Sequence, residues 1–301
     1  MAILAVIPAR YGSTRFPGKP LALLGGKPMI QRVYERVAQA KKVDRVVVAT
    51  DDEKIRELAQ RVGAAVTMTS PLCRSGTERC AQAAREQDAA IIINVQGDEP
   101  FIRSEMVDQV AVFLENHPAV PMASLRTPLH RVEDRNNPHV VKVVVDRDGF
   151  ALYFSRAPIP FVPEGAWGLG LGAGESYPVI GPRPSTVSHT VEQDSGGRDV
   201  TPIGVGMQVP QAYPVGPSAS IFVPQLFKHI GLYGYQRDFL LRLPHLVPTP
   251  LEQLEQLEQL RALEHGYRIK LLETAYDTIG IDTPEDLARA EALLAAAEPQ
   301  G

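Results

Sequence analysis

Three basic side chains lie on a short loop near the start of the chain. Arg10, Arg15 and Lys19 follow an apolar run, and Gly12 and Gly18 lie on the same loop. Glycine allows backbone conformations that bring peptide N–H groups close to a ligand. Because open α/β sheets bind ligands beyond the carboxyl ends of their strands, this loop is a candidate polyphosphate site. A solvated surface loop is the alternative interpretation.

The loop matches neither of two common phosphate-binding motifs. The spacing between Gly12 and Gly18 is one residue longer than in the Walker motif, and Pro20 stands where that motif has Ser or Thr. The fingerprint G-x-G-x-x-G does not occur near the loop. Its absence disfavours a nicotinamide-dependent oxidoreductase.

Two carboxylates could hold a divalent cation. Asp98 follows an apolar run in the motif N-V-Q-G-D-E-P, and Asp282 in G-I-D-T-P is predicted to end an apolar strand just before the last helix. If the two side chains converge, their oxygens suit Mg²⁺, which takes oxygen ligands and keeps substrate phosphates as partners. Solvated turns or helix caps are the alternatives. The histidines and cysteines lack zinc-ligand spacing, which disfavours zinc.

A third polar group lies in the segment R-S-G-T-E-R, residues 74–79. Ser75 or Thr77 can cap the helix that follows. The exposed amides and hydroxyls of this turn could also contact a base or a ribose. We expect capping in either case, with nucleotide contact as an additional role.

The elements that must position these groups alternate between strand and helix in the first part of the chain. Apolar runs and helical periodicity predict strands at 2–7, 45–49, 65–68 and 90–95, and helices at 28–40, 53–62, 77–86 and 105–115. This order implies a doubly wound, mostly parallel sheet of the α/β class with right-handed crossovers. A hairpin, 140–145 with 150–154, and helices at 251–264 and 283–298 follow.

Composition narrows the class of protein. The chain has 301 residues, 44% of them hydrophobic and 22% charged, with a net charge of -4. This balance fits a globular protein and argues against a general nucleic-acid-binding surface. Cys73 and Cys80 are too few for a disulfide framework and fit a reducing compartment. The first apolar run stops at Pro8, far short of the ~20 residues that span a bilayer, so we expect a cytoplasmic protein without membrane contact.

Two segments stand apart from this pattern. Residues 162–224 contain 11 Gly and 9 Pro among 63 residues, which predicts a Gly/Pro-rich insert. A poorly ordered surface excursion is favoured there over a lid. The repeat at 251–260 places Leu at every third position. Such a stripe drifts around a helix by about 60° per step, so ordinary packing is favoured over a coiled-coil seam, with a subunit contact as the sharper alternative.

Six motifs in one order resemble a known family. They are I-P-A-R-Y-G-S-T-R-F-P-G-K-P, S-G-T-E-R, N-V-Q-G-D-E-P, Y-F-S-R-A-P-I-P, H-I-G-L-Y-G-Y and G-I-D-T-P-E-D-L. In this order they resemble the 3-deoxy-manno-octulosonate cytidylyltransferase (CMP-KDO synthetase) family. The resemblance covers residues 2–161 and about 227–290. The departure is 162–224, which is longer than the connection expected in the family.

The resemblance implies a fold, a reaction and a set of site residues. The implied fold is the Rossmann-like nucleotide-diphospho-sugar transferase type, and the implied reaction is CTP plus KDO giving CMP-KDO and pyrophosphate. The implied catalytic residues are Arg10, Lys19 and Asp98, and the implied Mg²⁺ ligands are Asp98 and Asp282. The implied CTP-binding residues are Arg10, Ser13, Arg15, Lys19, Ser75, Gly76 and Arg79. The implied KDO-binding residues are Gln96, Arg156 and His229, with Lys142 as a helper.

The resemblance also implies domains and partners. Residues 1–128 and 246–301 would form the nucleotide-binding α/β domain. Residues 129–161 and 225–245 would form a smaller mixed α+β module for acceptor binding and dimerisation, interrupted by the insert 162–224. A homodimer without nucleic-acid partners is expected, and CMP-KDO would serve lipopolysaccharide synthesis. The alternatives are another 2-keto sugar acid as acceptor, such as 8-amino-KDO or an N-acylneuraminate, and a non-catalytic nucleotide-binding module.

Overall fold

The computed structural model describes residues 1–12, 16–162 and 225–297. The strands are β1 Ile3–Ala9, β2 Leu23–Leu24, β3 Lys27–Pro28, β4 Arg45–Thr50, β5 Ala65–Met68, β6 Ile91–Val95, β7 Met122–Pro128, β8 Lys142–Val145, β9 Ala151–Ser155, β10 Phe227–Gln236 and β11 Ile269–Glu273. The helices are α1 Met29–Val37, α2 Glu53–Arg61, α3 Gly76–Arg85, α4 Ser104–Asn116, α5 Val132–Asn136, α6 Arg237–Arg242, α7 Pro250–Glu255, α8 Gln259–Glu264 and α9 Pro284–Ala297.

A large mixed sheet organises the described part of the chain. Its strand order is β11-β7-β10-β6-β1-β4-β5, and the β8–β9 hairpin joins it through β10. β1 pairs in parallel with β4 and β6, β4 pairs in parallel with β5, and β7 pairs in parallel with β11. The predicted mostly parallel α/β sheet is therefore confirmed. β2 and β3 form a separate small antiparallel sheet.

Strand β10 was not predicted from the sequence. It runs antiparallel between β6 and β7, so a strand late in the chain completes the middle of the sheet. Gly234 allows α4 to pack on this strand, since an added Cβ would lie 2.5 Å from Val110 Cγ1 and 2.6 Å from Leu114 Cδ1. The glycines in β10 interrupt the apolar pattern that identifies strands, which explains why this strand was missed.

The core lies on both faces of the sheet. All seven residues of β1 are buried. Ile3, Ala5 and Ile7 pack in one cluster with residues of α1 and α4, whereas Leu4 and Val6 pack in a second cluster with residues of α3 and α6. Burial of each large apolar side chain contributes roughly 1.5–3 kcal/mol. The core therefore fixes the end of β1, from which the basic loop begins.

The single helix predicted at 251–264 is wrong. The structure has two short helices, α7 and α8, separated at Gln256, whose φ of 53° is left-handed. The break re-aims the leucine repeat, because Leu254 is exposed whereas Leu257 and Leu260 are buried. A continuous helix would have let the three-residue stripe drift away from the core.

The predicted apolar strand that ends at Asp282 is also wrong. β11 ends at Glu273, and the chain from 274 to 282 is irregular. Contacts to the sheet fix this segment: Ile281 N donates to Asp98 O at 3.0 Å, and Lys228 forms an ion pair with Asp277. The helix predicted at 283–298 is present and begins at Pro284, one residue later than predicted.

Capping residues hold the segment before α9. Asp286 Oδ2 accepts hydrogen bonds from the backbone N–H groups of Asp282 and Thr283, each at 3.1 Å. Asp286 N in turn donates to Thr283 Oγ1 at 3.2 Å. These bonds satisfy N–H groups that a helix start leaves open, and they fix the backbone of Asp282.

The remaining predictions about organisation are not decided by these elements. Residues 163–224 of the predicted insert lie outside the described residues. The boundary between the two predicted modules stays a prediction. Among the described helices, none is long and apolar enough to cross a membrane.

Candidate active site

A cavity of about 200 Å³ lies at the carboxyl ends of β1 and β6. It is bordered by the basic loop after β1, the turn before α3, the motif after β6 and the segment before α9. The predicted residues that line it are Arg10, Lys19, Ser75, Gly76, Arg79, Gln96, Asp98 and Asp282. The structure thus brings together residues from four separate motifs at the edge where open α/β sheets bind ligands.

Lys19 lies between the two predicted metal carboxylates. Its Nζ donates to Asp98 Oδ2 at 2.6 Å and to Asp282 Oδ1 at 3.2 Å. Gly18 sets its place, with a φ of 71° and a hydrogen bond from its N–H to Tyr11 O at 2.9 Å. A side chain at position 18 would be strained at this φ. The turn after Gly18 therefore aims the ammonium group at both carboxylates.

The same arrangement suits a hard divalent cation. Asp98 and Asp282 converge on one positive group and offer only oxygen donors, the chemistry that Mg²⁺ requires. Across residues 1–12, 16–162 and 225–297, no group of three or more His, Cys, Asp or Glu residues surrounds a common metal position. The protein would thus supply two carboxylates, and substrate phosphates with water would complete the shell.

Two glycines let the cavity walls approach closely. An added Cβ on Gly97 would lie 3.0 Å from the Pro8 carbonyl oxygen, and one on Gly76 would lie 3.2 Å from Gln96 Oε1. Gln96 is itself oriented by a hydrogen bond from its Nε2 to Asn94 Oδ1 at 3.0 Å. The end of β1, the motif after β6 and the start of α3 are therefore in direct contact.

Ser75 has the predicted capping role and a second partner. Its Oγ accepts from Glu78 N at 3.2 Å and donates to Glu258 Oε1 at 2.9 Å. Thr77 Oγ1 donates to the other oxygen of Glu258 at 2.5 Å. Glu258 was missed because it lies 183 residues away, inside a repeat that carries no chemical signal.

Arg79 lines the cavity although its side chain is almost fully buried. Its side chain is 3% exposed, and Nη2 pairs with Asp51 Oδ2 at 3.0 Å. Nη1 donates to Thr69 Oγ1. Much of the guanidinium is therefore used to join α3 to the ends of β4 and β5.

Glu99 is a further acidic residue that sequence reasoning did not select. Burial and the negative charge of Asp98 raise the pKa of Glu99 to about 8. Its Oε2 is buried and has no hydrogen-bond partner among the described residues. Its carboxyl group lies against Gly231 and Gly280, where an added Cβ would be 3.4 Å from Oε1. Glu99 is thus largely neutral at pH 7, which limits the negative charge beside Asp98.

A second cavity of about 230 Å³ adjoins the first. Gly76 and Gln96 line both cavities. The other lining residues are mostly from β10 and the region of α8: Thr77, Met122, Gly231, Tyr233, Tyr235, Leu243, Glu258 and Gln259. Apolar and aromatic surface makes up most of this space, and the hydroxyl of Thr77, the amide of Gln96 and the carboxylate of Glu258 add polar groups next to the candidate nucleotide site.

Two of the predicted KDO-binding cations do not line either cavity. Lys142 is buried, and its Nζ donates to the backbone carbonyls of Asn137 at 2.9 Å, Val140 at 2.6 Å and Arg156 at 2.5 Å. Burial lowers the pKa of Lys142. Arg156 donates through Nε to Glu255 O at 2.7 Å. In this structure both cations donate hydrogen bonds to backbone carbonyls. The sequence alone does not predict this pairing.

His229 is one aromatic contact away from the second cavity. Its ring lies 5.2 Å from the ring of Tyr233, which lines that cavity, and 5.1 Å edge-on from Phe154. Its Nε2 lies 2.8 Å from Ser124 Oγ. The ring is partly buried, and burial lowers the pKa of His229 to about 3. His229 is therefore neutral at pH 7.

Three cations were predicted on the opening loop. Arg10 is exposed at the cavity rim, and no carboxylate among the described residues pairs with it. Lys19 lies between Asp98 and Asp282, as described above. Arg15, together with the predicted CTP-binding Ser13, lies outside the described residues.

Comparison with known proteins gives consistent results at the levels of family, relatives and fold. The profile of the family described as Cytidylyltransferase matches residues 4–270. A Syntrophotalea carbinolica protein named 3-deoxy-manno-octulosonate cytidylyltransferase is 47% identical, over 98% of this chain and 99% of its own. A protein of the same name from Geobacter sulfurreducens is 43% identical, over 96% of this chain and 98% of its own.

Solved structures agree with these relatives. A CMP:2-keto-3-deoxy-manno-octonic acid synthetase complexed with CTP superposes with a TM-score of 0.76 at 35% identity, covering 99% of this chain and all of its own. A cytidylyltransferase from Leptospira borgpetersenii has a TM-score of 0.55 at 17% identity, with 98% of this chain and 87% of its own covered, and shows likeness of fold alone.

Proposed function

Because the chain belongs to the 3-deoxy-manno-octulosonate cytidylyltransferase family, we propose that it transfers CMP from CTP to the anomeric hydroxyl of KDO, releasing pyrophosphate. The observation that carries this proposal is the convergence of Lys19, Asp98 and Asp282 beside a cavity at the carboxyl ends of β1 and β6. These are the charges that a triphosphate and its cation require. The product, CMP-KDO, would serve lipopolysaccharide synthesis.

The reaction is an in-line displacement at phosphorus. The anomeric oxygen of KDO forms a bond to the α-phosphorus of CTP while the bond to the β-phosphate oxygen breaks. Such a step needs positioning and charge neutralisation more than covalent help from the protein. Lys19 and the exposed Arg10 would supply positive charge to the triphosphate, with Arg15 on the same loop.

Asp98 and Asp282 would hold Mg²⁺. When bound, this ion neutralises phosphate charge and lowers the pKa of a nearby hydroxyl group. Support comes from the two carboxylates meeting at one cation. Without Lys19 or a metal ion, Asp98 and Asp282 would repel each other.

Cytidine and KDO would occupy adjoining spaces. The turn at Ser75, Gly76 and Arg79 borders the first cavity and would contact the cytidine. Gln96 lines both cavities, so it suits a position between nucleotide and acceptor. The second cavity is the space we assign to KDO. Arg156, His229 and Lys142 keep their acceptor roles only by resemblance to the family.

A homodimer in the cytoplasm is also part of the proposal. Leu152 on β9 is 62% exposed and Phe161 is 85% exposed, which leaves apolar surface on the module that would form the dimer. The chain has only two cysteines, Cys73 and Cys80, which are too few for a disulfide framework and fit a reducing compartment. Light scattering after gel filtration tests the dimer, since a monomeric mass at micromolar concentration would contradict it.

The direct test is pyrophosphate release from CTP with KDO and Mg²⁺. Asp98→Asn should abolish release while the fold, followed by circular dichroism, stays intact. Asp148→Asn, the same substitution at an exposed position of the β8–β9 turn, should retain the wild-type rate. Near-normal turnover of Asp98→Asn would refute the metal assignment.

Other acceptors separate the alternatives. Release with N-acetylneuraminate or 8-amino-KDO, but not with KDO, would move the function to that acceptor. Binding of CTP in isothermal titration calorimetry without turnover on any 2-keto sugar acid would instead indicate a non-catalytic nucleotide-binding module.

A further inference from the structure

A third and larger cavity lies at the opposite edge of the sheet. Its volume is about 870 Å³, against about 200 and 230 Å³ for the two cavities of the candidate active site. The strand ends that border it are the amino ends of β1, β6 and β7 and the carboxyl end of β10. It shares no lining residue with the candidate nucleotide cavity. We refer to it as the basal cleft.

Three arginines line the basal cleft without ion-pair partners. Arg85 Nη2 lies 3.3 Å from His245 Nε2, Arg237 Nη2 donates to Ala84 O at 3.4 Å, and Arg242 Nη1 donates to Tyr267 OH at 3.4 Å. The partner of each arginine is thus a ring nitrogen, a backbone carbonyl or a hydroxyl group, and not a carboxylate. Within the described part of the chain, none of the three forms a salt bridge. A guanidinium has five N–H donors, so most of these donors remain free for a ligand.

The wall beside these arginines is aromatic and firmly anchored. Phe239 and Tyr267 line the cleft with ring centroids 4.6 Å apart, and Phe239, which is only 6% exposed, supports the more exposed ring of Tyr267. The chain entering α6 is fixed by backbone hydrogen bonds from Arg237 N to Ala90 O at 2.9 Å and from Gln236 N to Pro121 O at 3.0 Å. The wall can therefore contact a planar ring without much loss of conformational freedom.

The charged residues of the cleft limit the negative charge that a ligand can carry. Glu86, Asp88 and Asp238 also line it, so the formal charges of the three arginines and the three carboxylates cancel. A polyanion would be repelled by these carboxylates. A single phosphate group can instead be bound by the directed N–H donors of arginine, which match phosphate oxygens in pairs.

From these observations we propose that the basal cleft is a second ligand site, which takes a nucleoside monophosphate or a molecule of the same chemistry: one phosphate group joined to a planar ring. Arg237 and Arg242 contact the phosphate, and Tyr267, which packs against the buried ring of Phe239, contacts the planar ring of the ligand. The cleft has the size of ordinary small-molecule sites, which range over roughly 300–1,000 Å³. This ligand is separate from the CTP that the opposite edge of the sheet would bind.

The test is isothermal titration calorimetry of AMP into the full-length protein saturated with CTP and Mg²⁺, which keeps the candidate nucleotide cavity filled. We expect one AMP per chain, with binding weakened about tenfold or more in the double variant Arg237→Gln/Arg242→Gln. The control Lys41→Gln/Lys42→Gln removes the same charge from an exposed turn and should bind AMP as the wild type does. Inorganic phosphate and adenosine should each bind more weakly than AMP.

Two results would overturn the proposal. One is the absence of AMP binding at millimolar concentration, and the other is unchanged binding in the double variant. Should the double variant fail to fold by circular dichroism, Arg242→Gln alone replaces it, because that side chain is exposed and is assigned to the phosphate. The rate of CMP transfer should stay at the wild-type level in these variants, so the outcome is independent of the proposed transferase activity.

Discussion

Replacing Lys19 by methionine tests the electrostatic arrangement of the candidate active site without an activity assay. Lys19 Nζ bridges Asp98 at 2.6 Å and Asp282 at 3.2 Å. Methionine keeps much of the side-chain volume and removes the charge. The substitution therefore leaves two carboxylates facing each other with no cation between them.

The expected loss of stability follows from exposure. A hydrogen bond to a charged group contributes about 1.5–3 kcal/mol when it is buried. The Lys19 side chain is 13% exposed, but those of Asp98 and Asp282 are 31% and 42% exposed, so water screens both pairs. After this discount we expect a loss of about 1–2 kcal/mol, most of it from the shorter Asp98 pair. At about 2–4 °C per kcal/mol, the melting temperature should fall by a few degrees.

The more specific expectation concerns Mg²⁺. In the wild type without nucleotide, the ammonium group already lies between the carboxylates, so millimolar Mg²⁺ should change the melting temperature little. In Lys19→Met the ion can take that position, and a concentration tenfold above its dissociation constant restores about 1.4 kcal/mol. Thermal unfolding by circular dichroism, with and without Mg²⁺, measures both effects.

Two controls make the result interpretable. Lys27→Met breaks an exposed pair with Glu35 at 2.9 Å, with side chains 50% and 39% exposed, and should change stability by less than about 1 kcal/mol. The double variant Lys19→Met/Asp98→Asn should lose the response to Mg²⁺. If Lys19→Met unfolds at the wild-type temperature and ignores Mg²⁺, the two carboxylates do not form a cation site.

Three further variants test packing, the cavity wall and a buried ring. Gly234→Ala should destabilise the fold by about 1–3 kcal/mol, because the new Cβ would lie 2.5 Å from Val110; urea unfolding measures it, and an unchanged midpoint would contradict the packing of α4 on β10. Arg79→Met removes a side chain that is only 3% exposed and leaves Asp51 without its ion-pair partner, so the free energy of unfolding should fall by about 3–5 kcal/mol in the same assay. A fall below about 1 kcal/mol would show that the pair is not buried in solution. Burial lowers the pKa of His229 to about 3, so below about pH 6.5 the unfolded chain takes up a proton that the folded chain does not. The free energy of unfolding should therefore fall as the pH is lowered from about 6.5 toward about 3. His229→Gln should flatten this pH dependence, and an unchanged pH dependence would refute the assignment to His229.

Local chemistry explains which parts of the fold could be predicted from the sequence. The apolar runs of β1 and β6 are buried on both faces, so they carry a strong signal, and the cap at Ser75 is read from side chains next to it. The helix predicted at 251–264 was wrong because a backbone reversal at Gln256, a non-glycine residue, leaves little trace in the sequence. Helix-forming residues on both sides concealed it.

A different physical cause limited how much of the candidate site could be predicted from the sequence. Lys142 and Arg156 are cations beside a predicted acceptor space, but their donors are used by carbonyls such as those of Val140 and Glu255. Which carbonyls a loop leaves unpaired depends on the folded backbone and not on residue type. The acceptor roles of these cations therefore stay predictions, while the same geometry places Glu258 and Glu99 close to the cavities.

The sequence by itself determined the residue types of the candidate site and the strands from which they extend. Lys19 and Asp98 each follow a buried strand, and the carboxyl ends of parallel neighbours necessarily meet at one edge of the sheet. Only the tertiary structure decided that Asp282, 263 residues from Lys19, completes the pair of carboxylates. That approach depends on β10 and β11 joining the sheet and on the Ile281–Asp98 hydrogen bond. Such long-range packing leaves no periodic signal in the chain, whereas strand burial does.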